Sequence, residues 1–181
     1  MAEALSRYEQ WLKSGAPGRL KLEEPEGQNI CSVVAGRGLV RFKSGWRRWC
    51  LILATVIPGN AWKVFWFRRS GVKVGKNVFI SHGAKLDWLA PWLITLEDGC
   101  VLGYEAMVVV HLYFKNKLVL RRVVVGQEAV VGLRASVCAS MGPGSILSPG
   151  SVLLTEAPAG AVMSGNPAIE VNFSVRTTLD F

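Results

Sequence analysis

The chain has 181 residues, half of them hydrophobic, and its 19% charged content lies below the roughly 25% usual in globular proteins, so one sizeable core with an accessory segment is expected. A formal charge of +8 would suit nucleic acid, but the basic excess is local. It concentrates between Arg37 and Lys73 with no acidic residue among them, which marks one basic segment and excludes a generally basic, nucleic-acid-binding protein.

Residues 1–13 have helical composition, and the run from Ser14 to Gly18 breaks it, leading into a polar connector that extends to about Gly38. The polar start does not read as a signal peptide. Between residues 42 and 69, apolar blocks alternate with Arg47, Arg48, Lys63, Arg68 and Arg69 on either side of Pro58, Gly59 and Asn60, which predicts two short amphipathic helices. The apolar run from Trp49 to Pro58 is far shorter than the roughly 20 residues of a spanning helix, whereas its Trp and Arg content suits peripheral contact with a membrane surface through 42–69. The competing role for these aromatics is to cap the core formed by the residues after Gly71. Cys31, Cys50, Cys100 and Cys138 show no CxxC spacing, so neither a zinc site nor a disulfide framework is expected, and a reducing, cytoplasmic location fits.

From Gly71 the character changes to a period of six. Val74, Ile80 and Leu86 open the units of a first coil, Leu96, Leu102 and Val108 those of a second, Val125, Val131 and Val137 those of a third, and Met141, Leu147 and Leu153 those of a fourth. The second residue of a unit is usually small and the fifth is Ala, Val, Cys or Ser. Such a pattern predicts a three-sided prism in which the first residue fills the interior, the fifth occupies a tight corner and glycines serve the turns. Two interruptions stand out: residues 88–92 extend one corner, and 112–122 leave the prism as an excursion loop. Insertions in a solenoid often carry function.

The ordered set of Gly71 to Val78 entering the repeats, Gly99 to Gly103 followed by an isolated His111 and a loop, then Gly150 to Val152, Pro158 and Gly165 to Ala168 resembles the hexapeptide-repeat acyltransferases. The resemblance is greatest to the maltose/galactoside, xenobiotic and polysaccharide O-acetyltransferases. It implies a mainly β fold, a left-handed parallel β-helix over 71–168, with residues 1–70 as an N-terminal helical cap segment and 169–181 as a tail. It also implies a homotrimer with active sites between subunits, acetyl-CoA as acyl donor, no metal, and transfer to a hydroxyl or amine of a saccharide or other small acceptor.

Acyl transfer needs a base for the acceptor's proton and a slot for the carrier arm. His111 stands at a strand edge before the excursion, where the family places its general base, and is the expected catalytic residue. His82 falls where relatives hold the acceptor, and Asp87, Glu105, Tyr113 and Lys115 are further acceptor-contact candidates; Asp87 and Glu105 are also placed to orient a histidine. Positions matching the family's donor contacts are Gly132, Leu133, Arg134, Pro149, Gly150, Ser151, Thr155, Gly165, Asn166 and Pro167. The sequence departs from the family at Leu154-Thr155, where relatives commonly have Thr-Lys, and at Ile169, where they have Lys; those lysines would meet phosphates. With only His82 and His111 available, a three-histidine zinc site of the carbonic anhydrase kind is excluded. A non-catalytic β-helix scaffold is the alternative function.

Overall fold

In the computed structural model, which describes residues 2–16, 18–23, 39–114 and 117–171, the six-residue period becomes three parallel sheets visited in rotation. The first face holds β2 (Lys73–Val74), β5 (Ile94–Leu96) and β10 (Val123–Val125). The second holds β3 (Phe79–Ile80), β6 (Val101–Leu102), β11 (Val130–Val131), β13 (Ile146–Leu147) and β15 (Val162–Gly165). The third holds β4 (Lys85–Leu86), β7 (Met107–Val108), β12 (Ser136–Val137) and β14 (Val152–Leu153). Isolated parallel bridges from Val125 to Met141 and from Met141 to Ala157 continue the first face.

The expected inward positions are inward. Leu102, Val108, Val125, Val131, Val137, Leu147 and Leu153 are wholly buried, and Cys100, Ala106, Ala129, Ala135 and Ser145 fill the corners beside them. Each coil rests directly on the next, and where the unit's second residue is glycine there is no room for a side chain: a Cβ on Gly132 would lie 2.5 Å from the Pro149 nitrogen, and one on Gly103 2.7 Å from the Val131 oxygen.

Two helices close the first coil. α2 (Leu39–Val56) and α3 (Asn60–Ser70) pack together, and α3 ends at Gly71, whose φ of 103° provides the left-handed cap. The exposed edge of the first coil is satisfied by α3 side chains. Asn60 donates to the Val78 oxygen and accepts from the Ile80 amide, Lys63 donates to the Ile80 oxygen, and Arg68 donates to the oxygens of Val74 and Gly75. An edge strand left open would invite pairing with another chain, and this one is covered. At the other end β16 (Ala168–Glu170) folds back antiparallel on β15.

The excursion is a β-hairpin, not a loop. β8 (His111–Phe114) and β9 (Lys117–Arg121) pair antiparallel, and the connector after the first helix supplies a third strand, β1 (Arg19–Glu23), alongside β9. The reason is alternation: Leu20, Leu22, Leu118 and Leu120 all turn to one buried face, where Tyr8, Trp11 and Leu12 of α1 (Ala2–Ser14) join the core. Arg122 fastens α1 by donating to the oxygens of Trp11, Leu12 and Ala16 while lying over the Trp11 ring. Among the described residues before Gly71, α2 and α3 cap the stack, while α1 and β1 widen the excursion.

Candidate active site

The site is built where the chain leaves the third face. Asp87 follows β4 and His111 opens β8, and stacking of the first two coils brings them together across 24 positions of sequence: His111 Nδ1 lies 2.6 Å from Asp87 Oδ2. Asp87 is buried, with its side chain 1% exposed, and it accepts backbone N–H groups from Leu89 on Oδ1 and from Val110 and His111 on Oδ2. A carboxylate oxygen that already accepts two amide hydrogens acts as an acceptor toward the ring too, so Nδ1 carries the proton and Nε2 presents its lone pair. The hydrogen bond from Asp87 raises the His111 pKa above its usual value, against a smaller opposing effect of burial. The Trp88 ring meets the imidazole edge-on at 6.2 Å, and Arg48 of α2 lies over that indole.

Beside this pair, Val109, Cys138 and Leu154 stack above Asp87 on the outer side of the third face, the amides of Asp87, Val109 and Cys138 each bonding to the coil above. The outer side of the hairpin overhangs this column and encloses a cleft of about 300 Å³ lined by Val109, Val110, Leu112, Val119 and Cys138, with Arg19, Lys21, Lys117 and Arg121 as its cations; His111, paired with Leu120 on β9, falls on the other side of the hairpin and does not line it. Arg121 donates to the oxygens of Cys138 and Leu154, tying β9 to the column. Burial pushes the Cys138 thiol up, so it is held protonated and is no nucleophile.

The other expected residues fall elsewhere. His82, Tyr104, Glu105, Leu133, Arg134, Pro149 and Gly150 form an exposed ridge along the corner between the second and third faces, continued by Gly165, Asn166 and Pro167. On this ridge His82 stacks against Tyr104 at 6.0 Å, and Arg134 pairs with Glu105 at 2.6 Å, which holds the Glu105 carboxyl below its usual range. Gly132 lies against the next coil just before this corner. Within one chain the width of the third face separates the ridge from His111.

Three expectations change. Asp87 is too buried to bind an acceptor and serves instead to orient His111. Ser151 is also buried, its Oγ accepting the Gly165 amide, so it shapes the ridge from within and offers nothing to a donor. Glu105 pairs with Arg134 and orients no histidine. Tyr113 is exposed on β8, Thr155 is exposed at the end of the third face, and Lys115 lies outside the described residues. Trp88, Arg19, Lys21 and Arg121 were not anticipated as site residues; no local signal marks the two from β1, which arrive by long-range pairing. No group of three or more His, Cys, Asp and Glu is arranged to hold a metal among the described residues.

No protein-family model matches the chain. Over 98 residues, 53% of this chain and 57% of the relative, it is 26% identical to a Bacillus subtilis protein named acetyltransferase YvoF. It is 23% identical to an Escherichia coli protein named for colanic acid biosynthesis, acetyltransferase WcaF, covering 71% of this chain and 87% of that one. Among solved structures, a hexapeptide-repeat-containing acetyltransferase from Vibrio cholerae complexed with acetyl coenzyme A superposes with a TM-score of 0.65 over 76% of this chain and 90% of that chain at 12% identity. A maltose O-acetyltransferase from Clostridium difficile superposes with a TM-score of 0.59 over 76% and 89% at 14% identity.

Proposed function

We propose that this chain, which belongs to the hexapeptide-repeat acyltransferase family, is an acetyltransferase that uses acetyl-CoA and His111 to acylate a hydroxyl or amine of a sugar-like acceptor. The observation that carries the reading is the Asp87–His111 pair, since a buried carboxylate fixing a partly exposed imidazole in one tautomer is the arrangement a general base requires, and a scaffold has no use for it. When bound, acetyl-CoA supplies the activated acyl group. His111 Nε2 would take the acceptor's proton as the acceptor oxygen or nitrogen bonds to the acyl carbon and the thioester C–S bond breaks. Asp87 would stabilise the imidazolium that results, and that imidazolium would return the proton to the departing thiolate.

The ridge and the Asp87–His111 pair lie on different corners, which supports a site completed between copies in a left-handed, trimeric assembly of the family's kind. The ridge of one subunit, with His82 and Tyr104, would then face the neighbour's His111. Its exposed backbone from Leu133 to Pro167 suits a carrier arm held by main-chain groups, while Arg19, Lys21 and Lys117 at the cleft would supply the cations that positions 155 and 169 lack. Cys50, Cys100 and Cys138, buried and unpaired, support a cytoplasmic location.

The pH dependence tests this reading. Only neutral imidazole accepts a proton, so with its pKa raised His111 should give kcat/KM an acid limb above about 6.5, activity rising with pH through it. Asp87→Asn removes the group that raises the pKa and leaves the burial that lowers it, so the limb should move down. Whichever way the amide lies, its NH₂ meets a donor, either the Leu89 amide or those of Val110 and His111, and the rate should fall about 100- to 10,000-fold. A limb unchanged in Asp87→Asn would overturn the assignment.

A further inference from the structure

Among the described residues, a broad exposed apolar surface lies on the helices that close the first coil. On α2, Trp49, Ile52 and Val56 are 64, 53 and 68% exposed at spacings of three and four, with Trp46 beside them; on α3, Trp62 and Phe65 are 61 and 47% exposed. Edge-to-face contacts run from Trp62 to Phe65 to Trp66 and across to Trp46 on α2, so the two stripes form one continuous surface. Soluble proteins rarely leave such a patch uncovered.

Charge identifies what covers it. Between Glu26 and Asp87 the chain holds eleven Lys and Arg and no acidic residue, more than its whole net charge, so the remainder of the molecule is net acidic. Exposed Arg48, Arg68 and Arg69 lie on these two helices. A second copy presenting the same basic face would be repelled, whereas an anionic bilayer attracts it and receives indole and aliphatic side chains at its interface. No helix among the described residues is long and apolar enough to cross a membrane, so the pair would lie along the surface.

We propose that the α2–α3 face docks on an anionic lipid bilayer. Arg48 lies over Trp88, which touches His111, so docking would hold the site close to the bilayer and within reach of acceptors carried on lipid. That consequence rests on the function proposed above; the docking itself does not.

The test is co-sedimentation of the full chain with phosphatidylcholine vesicles, with and without about one-third phosphatidylglycerol. The chain should bind the anionic vesicles at least about tenfold more tightly, with a blue shift of tryptophan fluorescence, and release at high salt. Trp49→Glu with Trp62→Glu should lose at least about tenfold of that binding while keeping the circular dichroism and the transfer rate on a soluble acceptor, since neither residue touches the site. Equal binding to neutral vesicles, no binding at all, or undiminished binding by the folded double variant would overturn the proposal. So would lipid-free self-association that the double variant abolishes, which would make the face a contact between copies.

Discussion

His111→Ala should lower the acyl-transfer rate about 100- to 10,000-fold while donor affinity changes little, the range expected when a general base is lost. The imidazole is part-exposed at the mouth of the site, so its removal opens no core cavity, and the cleft cations and ridge backbone remain in place. The loss should appear in kcat, because the proton leaves the acceptor only as the new bond forms. Rates measured beside acetyl-CoA titrations of the same preparations separate the two quantities. A variant with full activity would remove His111 from the chemistry; one that also loses donor binding would make it a binding residue.

Leu102→Asp should abolish folding. Leu102 is fully buried at the centre of the second face, paired with Ile80 on one side and Val131 on the other, so a carboxylate there has neither water nor a partner. Burying that charge, or neutralising it, costs several kcal/mol against a total stability of about 5–15 kcal/mol, and in a stack each coil depends on its neighbours. Leu102→Ala costs about 2–5 kcal/mol and should remain folded with a lower melting temperature. Thermal melts followed by circular dichroism check both. An Asp variant that melts like the parent would show that the repeat phase has been misplaced.

The repeat was readable because its physics is periodic. One inward aliphatic every six residues and a glycine wherever the next coil leaves no room for a Cβ appear directly in the sequence, and the phase from Val74 to Leu153 carries over unchanged. The two cap helices were readable from composition and the Pro58 break, although α2 begins at Leu39, ahead of the expected start. β1 was not readable: its alternation covers only five residues, and its partner β9 lies about a hundred residues onward, so nothing local announces the pairing.

The site was partly readable for a related reason. His111 stood out by its register beside an insertion, but the roles of Asp87 and Glu105 could be told apart only by burial. Asp87 is buried beneath His111 on the outer side of the third face and Glu105 stands on a turn at a φ of 53°, a difference that the repeat pattern does not encode. The cations of the cleft come from β1 and from both ends of β9, so they become a set only when the antiparallel sheet forms. The lysines missing at positions 155 and 169 are legible in the sequence, whereas the gathering of Arg19 and Lys21 with Arg121 in one cleft is not.

The most direct test of the account is a crystal structure of the chain with acetyl-CoA bound. The account predicts the thioester beside His111 Nε2, the phosphates against Arg19, Lys21 and Lys117, and the carrier arm along the ridge of a second subunit. A donor that fails to bind, or that binds with its thioester away from every His111, would contradict it.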